Sequence, residues 1–552
     1  MGLLRSRRRP AYRVTISSGQ ARGCVPVAAG FPHHVGHGCI ADTTRMSSSK
    51  PAVAAWRTWL SAGTGTLRRI IAIALVVAIV LVVLRARQAA SAPPLQPWHT
   101  LAAIEPSARD IRRGDWPDYV AAEDRLFASV REQLDDRLEP HDDHPLNRYT
   151  AGSLSSPERF RRDWNRSFVL ETDPPRGVAV LVHGLTDAPY SMLRLATLYN
   201  AAGYVAVVPR MPGHGTVPGA LVRADRSQWQ ATVAVAMAEA TRRAGGRMPV
   251  HLVGYSNGAA LALLHEVERL RDGQRADADR LVLLSPMVKV SAFARYAGLA
   301  GLPALLPRYA RSAWSDVLPE YNPFKYNSFP VHAARESYLV TADLQEGLDA
   351  LTADGRLTGL PPILAFQSVV DDTVDASAVD RLLFDKLAAN GNELVLFDVN
   401  RNRILQPLQV STTTAWADAL LDGPPHAHAI TMVGTTSLDD PAVLARTRKA
   451  GSLQVSTRPL GVDYPADVFS LSHIALPFAA DDALYGHIPR AGHPLQLGSI
   501  ALRGERNTLV VPQASLERLS YNPFHEYMLS RISALLPANP QRAMDETHTH
   551  AH

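Results

Sequence analysis

Val250-His251-Leu252-Val253-Gly254-Tyr255-Ser256-Asn257-Gly258-Ala259-Ala260-Leu261-Ala262-Leu263-Leu264 joins two apolar runs through a serine set between two glycines. The first run has the length of a buried strand, and the second, built of Ala and Leu, favours helix. A strand that turns straight into a helix leaves no room for side chains beside the turning residue. Gly254 and Gly258 are what that geometry demands. The same turn holds the Ser256 hydroxyl clear of the backbone and aims the first amides of the helix at the space where an oxyanion would form.

Upstream, Val178-Ala179-Val180-Leu181-Val182 is a continuous apolar run suited to a strand buried on both faces, and it ends in His183-Gly184-Leu185-Thr186-Asp187. Between the two, the run Val205-Ala206-Val207-Val208 leads into Pro212-Gly213-His214-Gly215-Thr216. In this order the three motifs resemble the α/β-hydrolase superfamily, particularly its monoacylglycerol-lipase-like and carboxylesterase branch, over roughly residues 165 to 400. The resemblance implies a doubly wound, mostly parallel sheet, with Ser256 as nucleophile and the backbone amides of Leu185 and Asn257 as oxyanion hole. His183 reads as a buried histidine bonded within its own loop, and Gly213 and Gly215 as members of a tight loop.

The acid of a Ser-Asp-His triad is expected after the next-to-last core strand, which Pro362 to Gln367 supplies. Asp371, Asp372 and Asp375 compete. In similar hydrolases the acid precedes a β-branched residue by three positions, which favours Asp371 with Val374; Asp372 is the runner-up, and Asp375 suits the cap of a helix opening at Ala376. The base should follow the strand Leu394 to Asp398, yet the next histidines are His426 and His428, so a segment is inserted at 401–468. His473, leaving the polar turn Ser470-Leu471-Ser472, is the preferred base, with His493 and His487 as rivals. Within the insertion, Ala429 to Gly434 has the pattern of an added strand.

Helices are expected at Tyr190 to Ala202, Arg226 to Arg243, Gly258 to Arg271 and Ala376 to Asn390, alternating with the strands. Residues 287–359 form the natural lid. There Phe293, Tyr296 and Leu299 recur at helical spacing with Leu302, Leu305 and Leu306, a pattern equally suited to core packing and to an acyl-chain slot. Tyr-Asn-Pro-Phe occurs at 321–324 and again at 521–524, too short to be a repeat.

The amino-terminal part differs in kind. Residues 1–87 hold thirteen Lys or Arg and one acid, a balance of +12 against +5 for the whole chain, so the remainder carries −7. A basic tail on an acidic body argues against a nucleic-acid partner. Ile70 to Leu84 is fifteen apolar residues bracketed by Arg68, Arg69, Arg85 and Arg87. As a helix it spans about 22 Å, short of a hydrocarbon core of roughly 30 Å unless arginine stems snorkel. It reads as a transmembrane signal anchor, with a signal peptide cleaved near Ala90-Ser91-Ala92 as the alternative. Eleven basic residues precede the run and two follow it closely, which places the amino terminus in the cytoplasm and exports the body. The expected layout is a basic tail (1–69), the anchor (70–84), a linker with a helical extension from Pro117 to Leu138 (85–164), a hydrolase domain (165–540) and a His-containing tail (541–552). Met46 is an alternative start.

Both cysteines, Cys24 and Cys39, lie in the basic tail, which removes disulfide, thiolate and cysteine-metal chemistry from the body. No metal or organic cofactor is implied, and His548, His550 and His552 read as a solvated terminus. The expected activity is cleavage of carboxylic esters or lipids through an acyl-enzyme. The alternatives are a peptidase, thioesterase or acyltransferase on the same fold, or a catalytically inactive binding module.

Overall fold

The computed structural model describes residues 52–290, 301–410, 414–488, 495–500, 502–505 and 508–537. Seven strands lie parallel in one sheet: β2 (Gly177–Val182), β3 (Tyr204–Val208), β4 (Val250–Tyr255), β5 (Arg280–Leu284), β8 (Ile363–Ser368), β9 (Glu393–Phe397) and β10 (Ala429–Gly434). With β1 (Phe168–Leu170), β11 (Ala442–Arg448) and β12 (Val455–Asp463), all antiparallel to their neighbours, they make ten strands in the order β1-β3-β2-β4-β5-β8-β9-β10-β11-β12. Along β2, Val178, Val180 and Val182 enter one core and Ala179 and Leu181 the other. Successive side chains leave a strand on opposite faces, so a continuous apolar run is a strand covered on both sides.

Helices Arg226–Ala244, Asn257–Arg271 and Val331–Ala353 cover one face, and Leu193–Ala201 with His525–Ser533 cover the other. The expected lid segment therefore divides. Its second half, Val331–Ala353, is a crossover helix packed on Asn257–Arg271 so closely that a Cβ on Gly347 would lie 2.4 Å from Val267 Cγ1. Its first half runs through short 3₁₀ turns at Leu302–Leu305 and Pro307–Ala313, then β6 (Trp314–Asp316) paired with β7 (Phe329–Pro330), in place of the expected helical run across Leu302 and Leu306. Phe293, Tyr296 and Leu299 lie outside the described residues, as do His493, the tail 541–552 and residues 1–51 of the basic tail. The helix expected to reach Asn390 breaks at Leu382 and resumes as a 3₁₀ turn at Phe384–Lys386.

The insertion builds more sheet. β10 adds in parallel beside β9, and β11 and β12 turn back as a meander before the chain returns past Asn400, whose amide bonds the Phe469 carbonyl at 2.9 Å. The two Tyr-Asn-Pro-Phe stretches also acquire a physical account. In each, the buried Asn side chain accepts the amide of the Phe two residues on, at 3.1 Å for Asn322 and 2.9 Å for Asn522. These are Asx turns whose Phe is driven inward.

The extension folds onto the body through helix Trp116–Asp135. Asp115 caps it, and Tyr119, Glu123, Leu126, Val130 and Leu134 form its buried stripe. Glu123 and Glu105 together hold the fully buried Arg210 at 3.1 and 2.9 Å, and Tyr119 Oη donates to the Arg210 carbonyl at 2.5 Å.

Upstream, the chain divides into units Met1–Ile73 and Ala74–His552, with helix Ala52–Ala90 running through the boundary. Among the described residues, its stretch Arg68–Gln88 is the one helix long and apolar enough to cross a membrane. At 21 residues it reaches about 31 Å, because the helix continues through the flanking arginines.

Candidate active site

Ser256 stands at the carboxyl end of β4, between the last strand residue and the first turn of helix Asn257–Arg271. Its φ of +56° puts a non-glycine residue in a sterically costly region. A Cβ on Gly254 would lie 2.4 Å from Ala259 Cα, and one on Gly258 would lie 2.3 Å from the Val182 carbonyl oxygen. The two glycines are thus fixed by backbone crowding, from the helix on one side and from β2 on the other. The Ser256 amide continues the sheet ladder to Leu284 at 2.9 Å, which pins the turn.

β2 ends beside this turn, and its loop lies against the serine: a Cβ on Gly184 would be 3.2 Å from Ser256 Cβ. Leu185 follows on that loop. Asn257, as the first helical residue, has no carbonyl one turn back for its amide. Thr186 takes φ +65°, and Lys325 clamps the loop by donating to Thr186 Oγ1 at 2.9 Å and Asp187 Oδ1 at 2.8 Å. His183, fully buried, holds the next loop: the Met211 amide donates to its Nε2 at 3.0 Å, so its Nδ1–H donates to the Gly184 carbonyl at 2.9 Å. Burial pushes its pKa down to about 4, so it is neutral and structural. Gly213 and Gly215 have φ of +84° and +75° in the tight loop beyond.

Asp371 follows β8 with its carboxylate fully buried. Oδ1 accepts the amides of Thr373 at 2.8 Å and Val374 at 3.1 Å, and Oδ2 accepts Gln367 Nε2 at 2.9 Å. Burial alone would raise its pKa; the His473 charge and these hydrogen bonds outweigh it and hold the carboxyl below the usual range. His473 Nδ1 lies 2.7 Å from Asp371 Oδ2, and His473 Nε2 lies 2.9 Å from Ser256 Oγ. The histidine is held from behind by Tyr255, whose hydroxyl donates to the His473 carbonyl at 3.1 Å. Ser472 caps the turn by accepting the Ala475 amide at 3.2 Å.

The rival residues sit elsewhere. Asp372 is exposed, and Asp375 caps its helix by accepting the Ala378 amide at 3.2 Å. His487 is exposed and stacks on Tyr521 at 4.3 Å. His426 and His428 precede β10, at the opposite edge of the sheet.

Gln367, Tyr255 and Lys325 were not anticipated. Gln367 had a signal, being a lone amide at the end of an apolar strand; Tyr255 and Lys325 had none, because their partners are remote in the chain.

A family described as serine aminopeptidase, S33 (Hydrolase_4) matches residues 173–401. The thermostable monoacylglycerol lipase of Bacillus sp. (strain H-257) is 30% identical over 223 residues, which is 40% of this chain and 80% of that protein. Among solved structures, one from the metagenome-derived lipolytic enzymes LipS and LipT is 21% identical over 43% of this chain and 88% of its own, with a TM-score of 0.34. A soluble variant of monoglyceride lipase from Saccharomyces cerevisiae, in complex with a substrate analog, is 14% identical over 46% of this chain and 88% of its own, with a TM-score of 0.33. The chain belongs to the monoacylglycerol-lipase-like serine hydrolases of the α/β-hydrolase superfamily.

Proposed function

We propose that this protein is a membrane-anchored, exported hydrolase of carboxylic esters that works through Ser256, His473 and Asp371. The observation that carries the reading is the unbroken hydrogen-bonded line from Ser256 Oγ through the imidazole to Asp371, at 2.9 and 2.7 Å. Ser256 attacks the ester carbonyl while His473 Nε2 takes its proton and then returns it to the departing alcohol. Asp371 keeps the ring in the tautomer that accepts from serine and stabilises the imidazolium. The amides of Leu185 and Asn257 bind the oxyanion, and water then releases the acid.

Esters are favoured over amino-terminal peptides by the state of the oxyanion loop. An aminopeptidase needs a carboxylate to receive the substrate ammonium, and the one on that loop, Asp187, is already paired with Lys325 at 2.8 Å. Phe293, Tyr296 and Leu299 are proposed to line the acyl-chain slot, which makes medium or long acyl groups the preferred substrates.

The anchor reading rests on helix Arg68–Gln88, which is long and apolar enough to cross a membrane. Arg85 donates to the carbonyls of Ser312 and Trp314, and Arg311 returns the contact to the carbonyls of Ala90 and Ala92 at 3.2 and 2.9 Å. These contacts join residues 85–92 to residues 311–314.

The test is labelling with a fluorophosphonate probe followed by an acyl-length series of esters. Labelling that vanishes in Ser256→Ala, with turnover rising toward longer acyl chains, is expected. Labelling retained in that variant, or a preference for amino-terminal peptide substrates, overturns the reading.

A further inference from the structure

The amino-terminal edge of the sheet, away from Ser256, gathers a second set of chemically able side chains. His426 and His428 lie in the turn that enters β10, and Asp380 lies on helix Ala376–Leu382, which runs back from the carboxyl end of β8. One nitrogen from each ring and one Asp380 oxygen all fall within 4.8 Å of one another. His428 Nε2 and Asp380 Oδ1 are 3.4 Å apart. That is about the edge of a tetrahedron whose corners lie roughly 2.0–2.1 Å from a central ion.

Two of the donors, His428 and Asp380, are buried and idle, and His426 is half-buried. His428 is 2% exposed and Asp380 5%, yet neither ring nitrogen of His428 nor Asp380 Oδ1 has a hydrogen-bond partner. Buried polar atoms are otherwise almost always paired. Their positions are fixed from outside the cluster: Phe384 packs on the His428 ring at 4.9 Å, and the Gly451 amide bonds the His426 carbonyl at 2.8 Å. Asp385 Oδ1 approaches His426 Nδ1 at 3.7 Å from the solvent side.

We propose that Asp380, His426 and His428 bind a divalent transition cation of the zinc class, with Asp385 or solvent completing four-coordination. Two imidazoles and one or two carboxylates suit zinc and its neighbours better than calcium or magnesium. The site is structural, since it lies at the sheet edge opposite Ser256. It would staple the β8-to-β9 crossover to the inserted strands, joining the hydrolase core to the segment that displaces the histidine of the triad. The sequence suggested no metal because the body lacks cysteine; this donor set joins a His-x-His pair to an aspartate on a separate helix.

The test uses the full chain, stripped with a chelator and titrated with zinc or cobalt chloride alone. One equivalent should bind, cobalt should show the intense visible bands of a four-coordinate site, and the thermal midpoint should rise with metal concentration. His428→Ala and Asp380→Asn should abolish the bands. Because both changes touch the core, His426→Gln, at a half-buried position, serves as the second variant. It should fold normally by circular dichroism and bind more than about 100-fold more weakly, beyond the range for losing an outer partner. The control with His548→Ala, His550→Ala and His552→Ala should keep its equivalent. Wild-type protein that binds neither ion, unchanged affinity in His426→Gln, or loss of the equivalent in the tail control would each overturn the site.

Discussion

His473 Nδ1 meets Asp371 Oδ2 at 2.7 Å across 102 positions of sequence, while the other nitrogen of the same ring meets Ser256 Oγ across 217. An ionised carboxylate can only accept, so Nδ1 must carry the proton and Nε2 must present its lone pair to the serine. The two short contacts therefore fix one tautomer between them. Gln367 shares the Asp371 oxygen and keeps the carboxylate from rotating away.

Asp371→Asn should leave the fold intact but offer an amide where the ring needs an acceptor. Turnover of an activated ester should fall on the order of 10⁴-fold, the scale seen when a triad imidazole is held in the wrong tautomer. Asp372→Asn, at an exposed position, should stay within a few-fold of wild type, and His473→Ala should be about as damaging as Ser256→Ala. Equal losses in the two aspartate variants, with both folded, would take Asp371 out of its role.

Gly258→Ala tests the turn itself. The new methyl would meet the Val182 oxygen at 2.3 Å and the His183 oxygen at 2.4 Å, backbone atoms at the end of β2 and the start of the loop that follows it. Neither can yield without moving β2, so soluble expression and fluorophosphonate labelling should both be lost. Gly273→Ala, at φ +76° with open space around it, should cost only about 1–2 kcal/mol of backbone strain. A soluble, labelled Gly258→Ala protein would show that the crowding is not what selects glycine there.

Much of this geometry was legible because it is local. Gly-Tyr-Ser-Asn-Gly, the His-Gly loop and the apolar runs each state a backbone requirement within a few residues. His473 was harder to place, because β10, β11 and β12 intervene before the chain returns to the carboxyl edge of the sheet, and only the Ser-His turn marked it. The Val331–Ala353 crossover was hidden inside the expected lid, since a helix that packs on Asn257–Arg271 and one that covers a site share the same apolar spacing. Arg210, with partners from an extension nearly a hundred residues away, had no sequence signal at all.

That arginine makes the extension part of the domain. Arg210→Met would strand the carboxylates of Glu105 and Glu123 in the core, where burial already raises the Glu123 pKa. Removing one partner of a buried ion pair costs about 3–5 kcal/mol, so the urea midpoint should drop sharply. Arg210→Met combined with Glu105→Gln and Glu123→Gln should recover part of the loss. A single variant as stable as wild type would mean that helix Trp116–Asp135 is attached by its apolar stripe alone.

The proposed anchor and its orientation have their own readout. With eleven basic residues before Ile70 and two soon after Leu84, an alkaline phosphatase fused after Pro97 should be active in bacterial cells. An inactive phosphatase, with a cytoplasmic reporter bright at the same junction, would place the body inside.

The buried histidines set the acid limit of the fold. Burial pushes His99, His183, His251 and His525 down to about 4 from an ordinary 6.5, and His214 falls further. Below pH 6.5 the unfolded chain binds protons that the native state refuses, so these groups stabilise the fold fully above 6.5, and that contribution is lost as pH falls toward 4. Each adds up to about 1.4 kcal/mol per pH unit to the slope within that window. Glu123, Glu266 and Glu320, whose pKa values burial raises, oppose the trend at its acid end. His251 is the cleanest probe, since it sits at the start of β4, bonded to Tyr199 at 3.1 Å, at the opposite end of that strand from Ser256. In urea titrations between about pH 4.5 and 6, His251→Gln should flatten the dependence of unfolding free energy on pH by roughly one proton's worth. A variant profile of unchanged slope would mean that His251 binds its proton equally well in the native and unfolded states.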